Sequence, residues 1–291
     1  MASSAVTDRY ARLLRRGRLV GSGDAAPREL SGLAPRVLAL HGFGGTPREM
    51  QLVLDAAAAA GLGAVAPLLP GHGTLASDLA TSNWNDWYRA AESALLDLTR
   101  DGTPAIVVGL SLGSLLASHL ASFQPERVKA LGLLANACWL ARSTDLVLRA
   151  VSRLRLPDVS IPKLASDIAD DAARRDHLTY GTQPWHAAVH VHQAGVRTRS
   201  LLRRLRLPVF IAHGARDRVC PPANAHRVAR LLPPPHPSPL ILPRSRHVIT
   251  RDLDRADLRA ALSAFFGRLA TSDSAEKIAG PPTGPAQPVE P

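Results

Sequence analysis

Short apolar runs alternate with stretches of helical periodicity over most of this chain, and that alternation limits the fold more than any other feature. Val37-Leu38-Ala39-Leu40 is the first clear run, and others fall at 63–67, 105–108, 128–134, 208–212 and 239–242. Helices are expected between them. One spans 47–61, where Pro47 suits a first turn and Gly61 a stop. Others fall at 83–99, after Ser111, at 222–231 and at 253–269. Strands buried on both faces of a parallel sheet read as continuous apolar runs. The pattern therefore predicts an α/β protein, with a mostly parallel, doubly wound sheet and helices on both faces.

The alternation breaks once. From 136 to 206, Pro157, Pro162 and Pro184 interrupt short helical patterns. That is too long for a structureless loop in a compact domain. A mostly helical insertion is expected there, dividing a core into 36–135 and 207–270. Residues 1–35 form a basic segment punctuated by Gly and Pro, with weak signals for a short helix and an edge strand. After Ala270 comes Pro281-Pro282-Thr283-Gly284-Pro285 among polar residues, which cannot bury enough apolar surface to offset chain entropy. Residues 271–291 are expected to be a disordered tail. No internal repeat is visible.

Hydrophobic residues make up 46% of the 291, enough for a large core. The net charge of +11 raises the question of nucleic acid. Only Lys129, Lys163 and Lys277 are lysines, however, and the arginines are scattered apart from runs near 12–18 and 197–206. This reads as a general bias of composition, and no specific nucleic-acid partner is expected. Cys138 and Cys220 stand in no metal or redox spacing and suit a reducing compartment. No apolar run reaches the length of a membrane span, and no apolar stretch follows the N-terminal arginines. The expectation is a cytoplasmic protein without a stable membrane anchor.

The third strand runs into Gly109-Leu110-Ser111-Leu112-Gly113, directly before a helix. A serine hydroxyl is a poor nucleophile. It needs exposure, a neighbouring base, and donors for the charge that develops on the attacked carbonyl. A sharp strand-to-helix turn exposes it at the cost of a strained backbone, and glycines on either side remove the clashes such a turn creates. Ser111 is therefore the candidate nucleophile. Leu40-His41-Gly42-Phe43-Gly44-Gly45, after the first clear strand, is a loop whose backbone N–H groups can approach a ligand. An oxyanion hole is assigned to the N–H groups of Phe43 and Leu112. His41 is read as a hydrogen bonder that orders this loop.

A base and its orienter are expected past later strands, because ligand-facing groups gather at the carboxyl ends of parallel strands. Asp217 follows Phe210-Ile211-Ala212-His213-Gly214, and His247 follows Leu240-Ile241-Leu242. The chain order Ser111, Asp217, His247 is that of the α/β hydrolases. Asp252 and Asp254 compete for the acid's role but follow the histidine and suit a helix N-terminus better. His186 and His190 share a helix face in the insertion without any accompanying carboxylate or cysteine cluster, so no metal is assigned. Trp84 and Trp87 are read as packing residues.

With these residues in place, the chain resembles the bacterial carboxylesterase and monoacylglycerol lipase group of α/β hydrolases. The similarity rests on LHGFGGTPREM, APLLPGHGT with NWNDWYRAAE, GLSLGS, AHGARDRVCPP and SRHVITRDLDR, spanning about 36 to 269. Within the insertion, Ser166-Asp167-Ile168 and Tyr180 before Pro184 resemble that group's small helical cap. The resemblance implies an α/β-hydrolase fold and cofactor-free cleavage of carboxylic esters of short to medium acyl chain, monoacylglycerols among them, through an acyl-enzyme. Ser111 would attack the ester carbonyl, His247 would carry the proton, and Asp217 would orient the imidazole.

Two positions depart from the group's pattern. Ser114 stands where a second glycine is common. Arg246 stands where glycine is common, and a cation there is expected to lower the His247 pKa relative to relatives. Thioesterases and C–C hydrolases use the same triad and remain alternatives, as does a non-catalytic binding protein on the same scaffold. A serine at 111 argues against dehalogenases and epoxide hydrolases, which need an aspartate there.

Overall fold

The computed structural model describes residues 19–20, 24–154, 160–162 and 165–279. The basic segment before residue 19, residues 21–23, and residues 280–291 of the expected tail lie outside the described residues. Strands β1 (Leu19–Val20) and β2 (Arg28–Leu30) precede β3 (Leu33–Leu40). A 3₁₀ turn at Pro47–Met50 leads into α1 (Gln51–Ala59), and β4 (Leu62–Ala66), α2 (Ala76–Thr81) and α3 (Trp84–Leu98) follow. Next come β5 (Ala105–Leu110), α4 (Leu112–Phe123) and β6 (Val128–Leu134). The interrupting segment holds α5 (Arg142–Leu154), β7 (Ser160–Pro162), α6 (Asp171–Asp176), β8 (Thr179–Tyr180), β9 (Thr182–Pro184) and α7 (Trp185–Leu201). The chain then adds β10 (Val209–Gly214), α8 (Asn224–Leu231), β11 (Leu240–Leu242) and α9 (Arg255–Ala279).

Seven strands form the main sheet in the order β11-β10-β6-β5-β3-β4-β2. All pairings are parallel except that of β2 on β4. From β3 the chain steps outward to β4, crosses back to β5 on the other side, and continues away through β6, β10 and β11. The direction of winding thus reverses between β3 and β5. Such a switch point opens a crevice beyond the carboxyl ends of the two strands.

Alternation along each strand divides the core between two faces. In β5, Val107 packs with α3 and α4 residues such as Leu95 and Leu116, whereas Ile106 and Val108 pack on the opposite side with α1 and α9 residues such as Val53 and Phe266. In β3, Leu38 and Leu40 share the first face, and Val37 and Ala39 the second. This is the doubly wound, mostly parallel α/β sheet expected from the apolar runs.

Local differences have physical causes. Helix α2 lies between the run at 63–67 and the helix expected at 83–99, where the sequence suggests no element. At six residues it is too short to show periodicity, and it is held by Asp78, which accepts from Leu75 N at 3.3 Å. The interrupting segment carries three short strands as well as helices: β8 pairs with β1, and β7 pairs with β9. Pairs of two or three residues leave no period in sequence. Helix α9 runs to Ala279, past the boundary expected at Ala270. Neither Gly nor Pro interrupts the chain between Gly267 and Gly280, and adding a residue to an existing helix is far easier than starting one.

Candidate active site

Ser111 sits on the turn joining β5 to α4 with φ 54° and ψ −111°. A non-glycine residue holds such a conformation at a cost of about 1–3 kcal/mol, and only where its surroundings over-determine it. The determinants are visible. Ser111 N donates to Leu134 O on β6 at 2.9 Å, so the ladder continues up to the turn. A Cβ on Gly109 would lie 2.0 Å from Gly113 O, and one on Gly113 would lie 2.0 Å from Leu40 O. The two flanking glycines thus let the start of α4 press against the ends of β5 and β3.

Asp217 and His247 come from the turns after β10 and β11, and the sheet brings both to Ser111. His247 Nε2 is 3.0 Å from Ser111 Oγ, and His247 Nδ1 is 2.8 Å from Asp217 Oδ2. A carboxylate at Nδ1 fixes the proton there, which leaves the Nε2 lone pair facing the serine hydroxyl. Asp217 Oδ1 accepts from Val219 N and Cys220 N, both at 2.8 Å. Burial opposes charge on Asp217, but His247 and His213 hold its carboxyl well below the usual range. For His247, burial lowers the pKa, yet Asp217, then Asp167 and Glu49, outweigh it and raise the net value. Arg246 is not among these leading influences on His247. Arg246 engages the site through its backbone, its N–H donating to Asp252 Oδ2 at 2.7 Å.

Asp252 and Asp254 do not reach the imidazole. Asp252 accepts from Ala169 N, Asp170 N and Arg246 N, while Asp254 accepts from Arg244 and from Ser245 Oγ, so both brace the loop that carries His247. His41 fits its sequence reading. Nε2 accepts from Leu69 N at 3.1 Å and Nδ1 meets Gly42 O at 2.9 Å, which ties the loop after β3 to the chain after β4. Trp87 is fully buried and bonds Pro70 O through Nε1 at 3.2 Å, and Trp84 packs edge-on against His119. In α7, His190 lies edge-on to Trp87, and His192 Nε2 meets Asp145 Oδ1 at 2.8 Å.

Ser111 and His247 open onto a cavity of about 280 Å³. Gly42 and Phe43 line it from the β3 loop. Leu140, Leu148, Trp185 and Val191 line it from the interrupting segment. Leu112 is the first residue of α4, so its N–H lies one peptide beyond Ser111 at the helix start.

Three groups at the site were not singled out from sequence. Buried Glu49 and His177 line the cavity and meet at 2.7 Å between Oε1 and Nε2. Fully buried His213 places Nε2 3.0 Å from Asp217 Oδ2 and 3.2 Å from Cys220 O. Both partners are acceptors, so the ring proton sits on Nε2. His213 does carry a local signal, a histidine four residues before Asp217 at a strand end. The Glu49–His177 pair, separated by 128 positions, has none.

A serine on a strained strand-to-helix turn, hydrogen-bonded to a histidine and through it to an aspartate at the switch point of this sheet, defines a serine hydrolase of the α/β-hydrolase fold. The chain belongs to the serine aminopeptidase S33 family, whose model matches residues 34–254. It is 27% identical over 234 residues to a thermostable monoacylglycerol lipase of Bacillus sp. (strain H-257), covering 80% of this chain and 90% of that one. Among solved structures it is similar to one described with the metagenome-derived lipolytic enzymes LipS and LipT, with a TM-score of 0.77, 28% identity and coverage of 86% of this chain and 99% of the other. The Paleococcus ferrophilus monoacylglycerol lipase shares the fold at a TM-score of 0.69 and 16% identity, covering 84% and 99%. No helix among the described residues is long and apolar enough to cross a membrane.

Proposed function

We propose that this serine hydrolase cleaves carboxylic esters of short to medium acyl chain, monoacylglycerols among them, through an acyl-enzyme intermediate. Ser111 Oγ attacks the ester carbonyl as His247 Nε2 takes its proton, and Asp217 stabilises the resulting imidazolium. The N–H groups of Phe43 and Leu112 receive the oxyanion, helped by the N-terminal end of α4. His247 returns the proton to the leaving alcohol, then activates the water that releases the acid.

The observation that carries this reading is the unbroken chain Ser111 Oγ, His247, Asp217, with contacts of 3.0 and 2.8 Å, beside a largely apolar cavity. Two further features support the finer assignment. At about 280 Å³ the cavity stands near the lower end of the roughly 300–1,000 Å³ usual for ligand sites, which favours shorter acyl chains. Its lining also includes Glu49, Asp167, His177 and Gln183, polar groups suited to the hydroxyls of a small polyol leaving group. Within this reading, residues 136–206 act as a cap that walls the cavity.

The test is a panel of p-nitrophenyl esters and monoacylglycerols of graded acyl length, with thioesters alongside and Ser111→Ala as the blank. Activity should peak at short to medium oxygen esters. A preference for thioesters, or no turnover by a protein whose serine accepts a fluorophosphonate, would reject it.

A further inference from the structure

Phe43 lies between two glycines that are each gripped from outside the loop. On one side, Gly42 N donates to Glu49 Oε2 at 3.1 Å. On the other, Thr179 Oγ1 donates to Gly44 O at 2.7 Å. The first grip continues inward. Glu49 Oε1 meets His177 Nε2 at 2.7 Å, and His177 Nδ1 meets Ser166 Oγ at 2.6 Å. Glu49, His177, Ser166 and Thr179 are all buried. The Glu49 carboxylate fills the inside of the loop so closely that a Cβ on Gly45 would lie 2.3 Å from it. Both grips lead to residues 177–179, at the start of β8 in the interrupting segment.

We propose that Glu49 and Thr179 are positioning residues that hold the Phe43 N–H in place for the oxyanion, so that the segment around His177 and the oxyanion loop form one unit. This rests on the serine-hydrolase mechanism proposed above. The physical argument concerns a donor whose value depends on its aim. A backbone N–H stabilises the oxyanion only when held where that charge develops. The loop's glycines leave it few side chains of its own to lock it, so the lock comes from elsewhere. A buried carboxylate left without its partners is costly, which resists loss of either grip. Burial opposes charge on Glu49, but the His177 contact, with His41 and Gly42 N, holds its pKa down to about 2, consistent with an anion that seldom lets go.

Misaimed catalytic groups lose turnover rather than ground-state affinity. Glu49→Leu removes both of the glutamate's bonds and should lower kcat on p-nitrophenyl butyrate by about 10- to 100-fold with KM changed less than about three-fold. Glu49→Gln keeps an acceptor for Gly42 N and replaces the acceptor facing His177 with an amide donor, which Nε2 can accept with the ring proton on Nδ1 facing Ser166 Oγ, and should recover most of that loss. Thr179→Val should cost about 3- to 10-fold in kcat, and Thr179→Ser should restore it. The rate at which a fluorophosphonate labels Ser111 should follow the same order, since phosphonylation uses the same oxyanion hole without needing a particular ester. Melting curves identify the folded variants, and Thr179→Val decides alone if Glu49→Leu does not fold. Folded variants within two-fold of wild type in kcat and labelling rate, or a loss confined to KM, overturn the proposal. A wild type that is neither labelled nor active on any ester overturns the hydrolase mechanism, and this inference with it.

Discussion

The candidate triad and the wall that faces it are built by different means. Ser111, Asp217 and His247 each follow a paired strand, and for the first two backbone bonds carry the ladder into the turn. Examples are Ser111 N to Leu134 O and Ala215 N to Leu242 O, each at 2.9 Å. The wall from α5 to β9 is tied in by many side-chain pairs, although Asp167 O also accepts from His247 N at 3.0 Å and Val248 N at 3.2 Å. Arg48 and Arg251 hold Asp176, Arg255 holds Asp170, and His192 holds Asp145. Its own apolar cluster is small, with Leu148, Val151 and Val189 buried. A strand-end turn cannot move without unpairing a sheet, whereas a side-chain pair can be exchanged one residue at a time. On the proposed roles, the first region should decide whether there is a reaction, and the second on what and how well.

The largest effect should come from the first region. On the proposed roles, Ser111→Ala should lower kcat/KM for every ester by about 10⁴-fold or more, with the melting temperature little changed because alanine must hold the same strained backbone. Loss on some esters only would break the comparison, because it would make the strand-end turn a specificity element. Asp217→Asn comes next, at about 10³- to 10⁴-fold near neutral pH. The sign of its pH effect follows from the raised His247 pKa. The base must be neutral to accept a proton, so kcat/KM falls as pH drops through that pKa. Removing the Asp217 charge leaves the lowering by burial less opposed, and the acid limb should move to lower pH.

The wall should respond differently. Leu148 lines the cavity and is buried in the small α5–α7 cluster. Leu148→Ala should cost about 2–3 kcal/mol of stability, at the low end for a buried leucine because one side of it already borders a cavity. It should change kcat/KM by less than about ten-fold, chiefly by shifting the preferred acyl length upward as the cavity enlarges. A uniform fall across all chain lengths would show that the wall acts on the chemistry, not on the choice of substrate.

The two regions also differed in how far sequence revealed them. Six of the seven strands of the main sheet show in apolar runs because buried parallel strands have no polar side to present, whereas β2, a half-exposed edge strand, gives only a weak signal. The run at 128–134 is β6 to the residue. Ser111, Asp217 and His247 are legible because each needs a particular residue type beside a strand end, and the glycines at 109 and 113 mark the turn. The wall is opaque. Its short strands carry no period, and its anchors join residues far apart in the chain, such as Arg48 with Asp176 and Glu49 with His177. Nothing in a local pattern says that an isolated glutamate at 49 will find a histidine at 177.

The smallest effect is expected at Arg246, where the two ways of reading the site diverge. A cation one residue before the base is expected from sequence to disfavour imidazolium. In the fold, Asp217, Asp167 and Glu49 lead the charges acting on His247, and all three raise its pKa. Arg246 contributes its backbone N–H to Asp252, a bond any residue but proline can make. Arg246→Gln removes the charge and keeps a side chain of similar length. It should leave the acid limb of kcat/KM within about 0.3 pH units of wild type, worth roughly 0.4 kcal/mol. Arg246→Gly should do the same if the loop keeps its shape. A limb that moves upward by more than this in both variants would show that the guanidinium does depress the base through space. A limb that moves in the glycine variant alone would point to the backbone, and would extend to the His247 loop the rule that strand-end geometry, rather than side-chain charge, governs this half of the site.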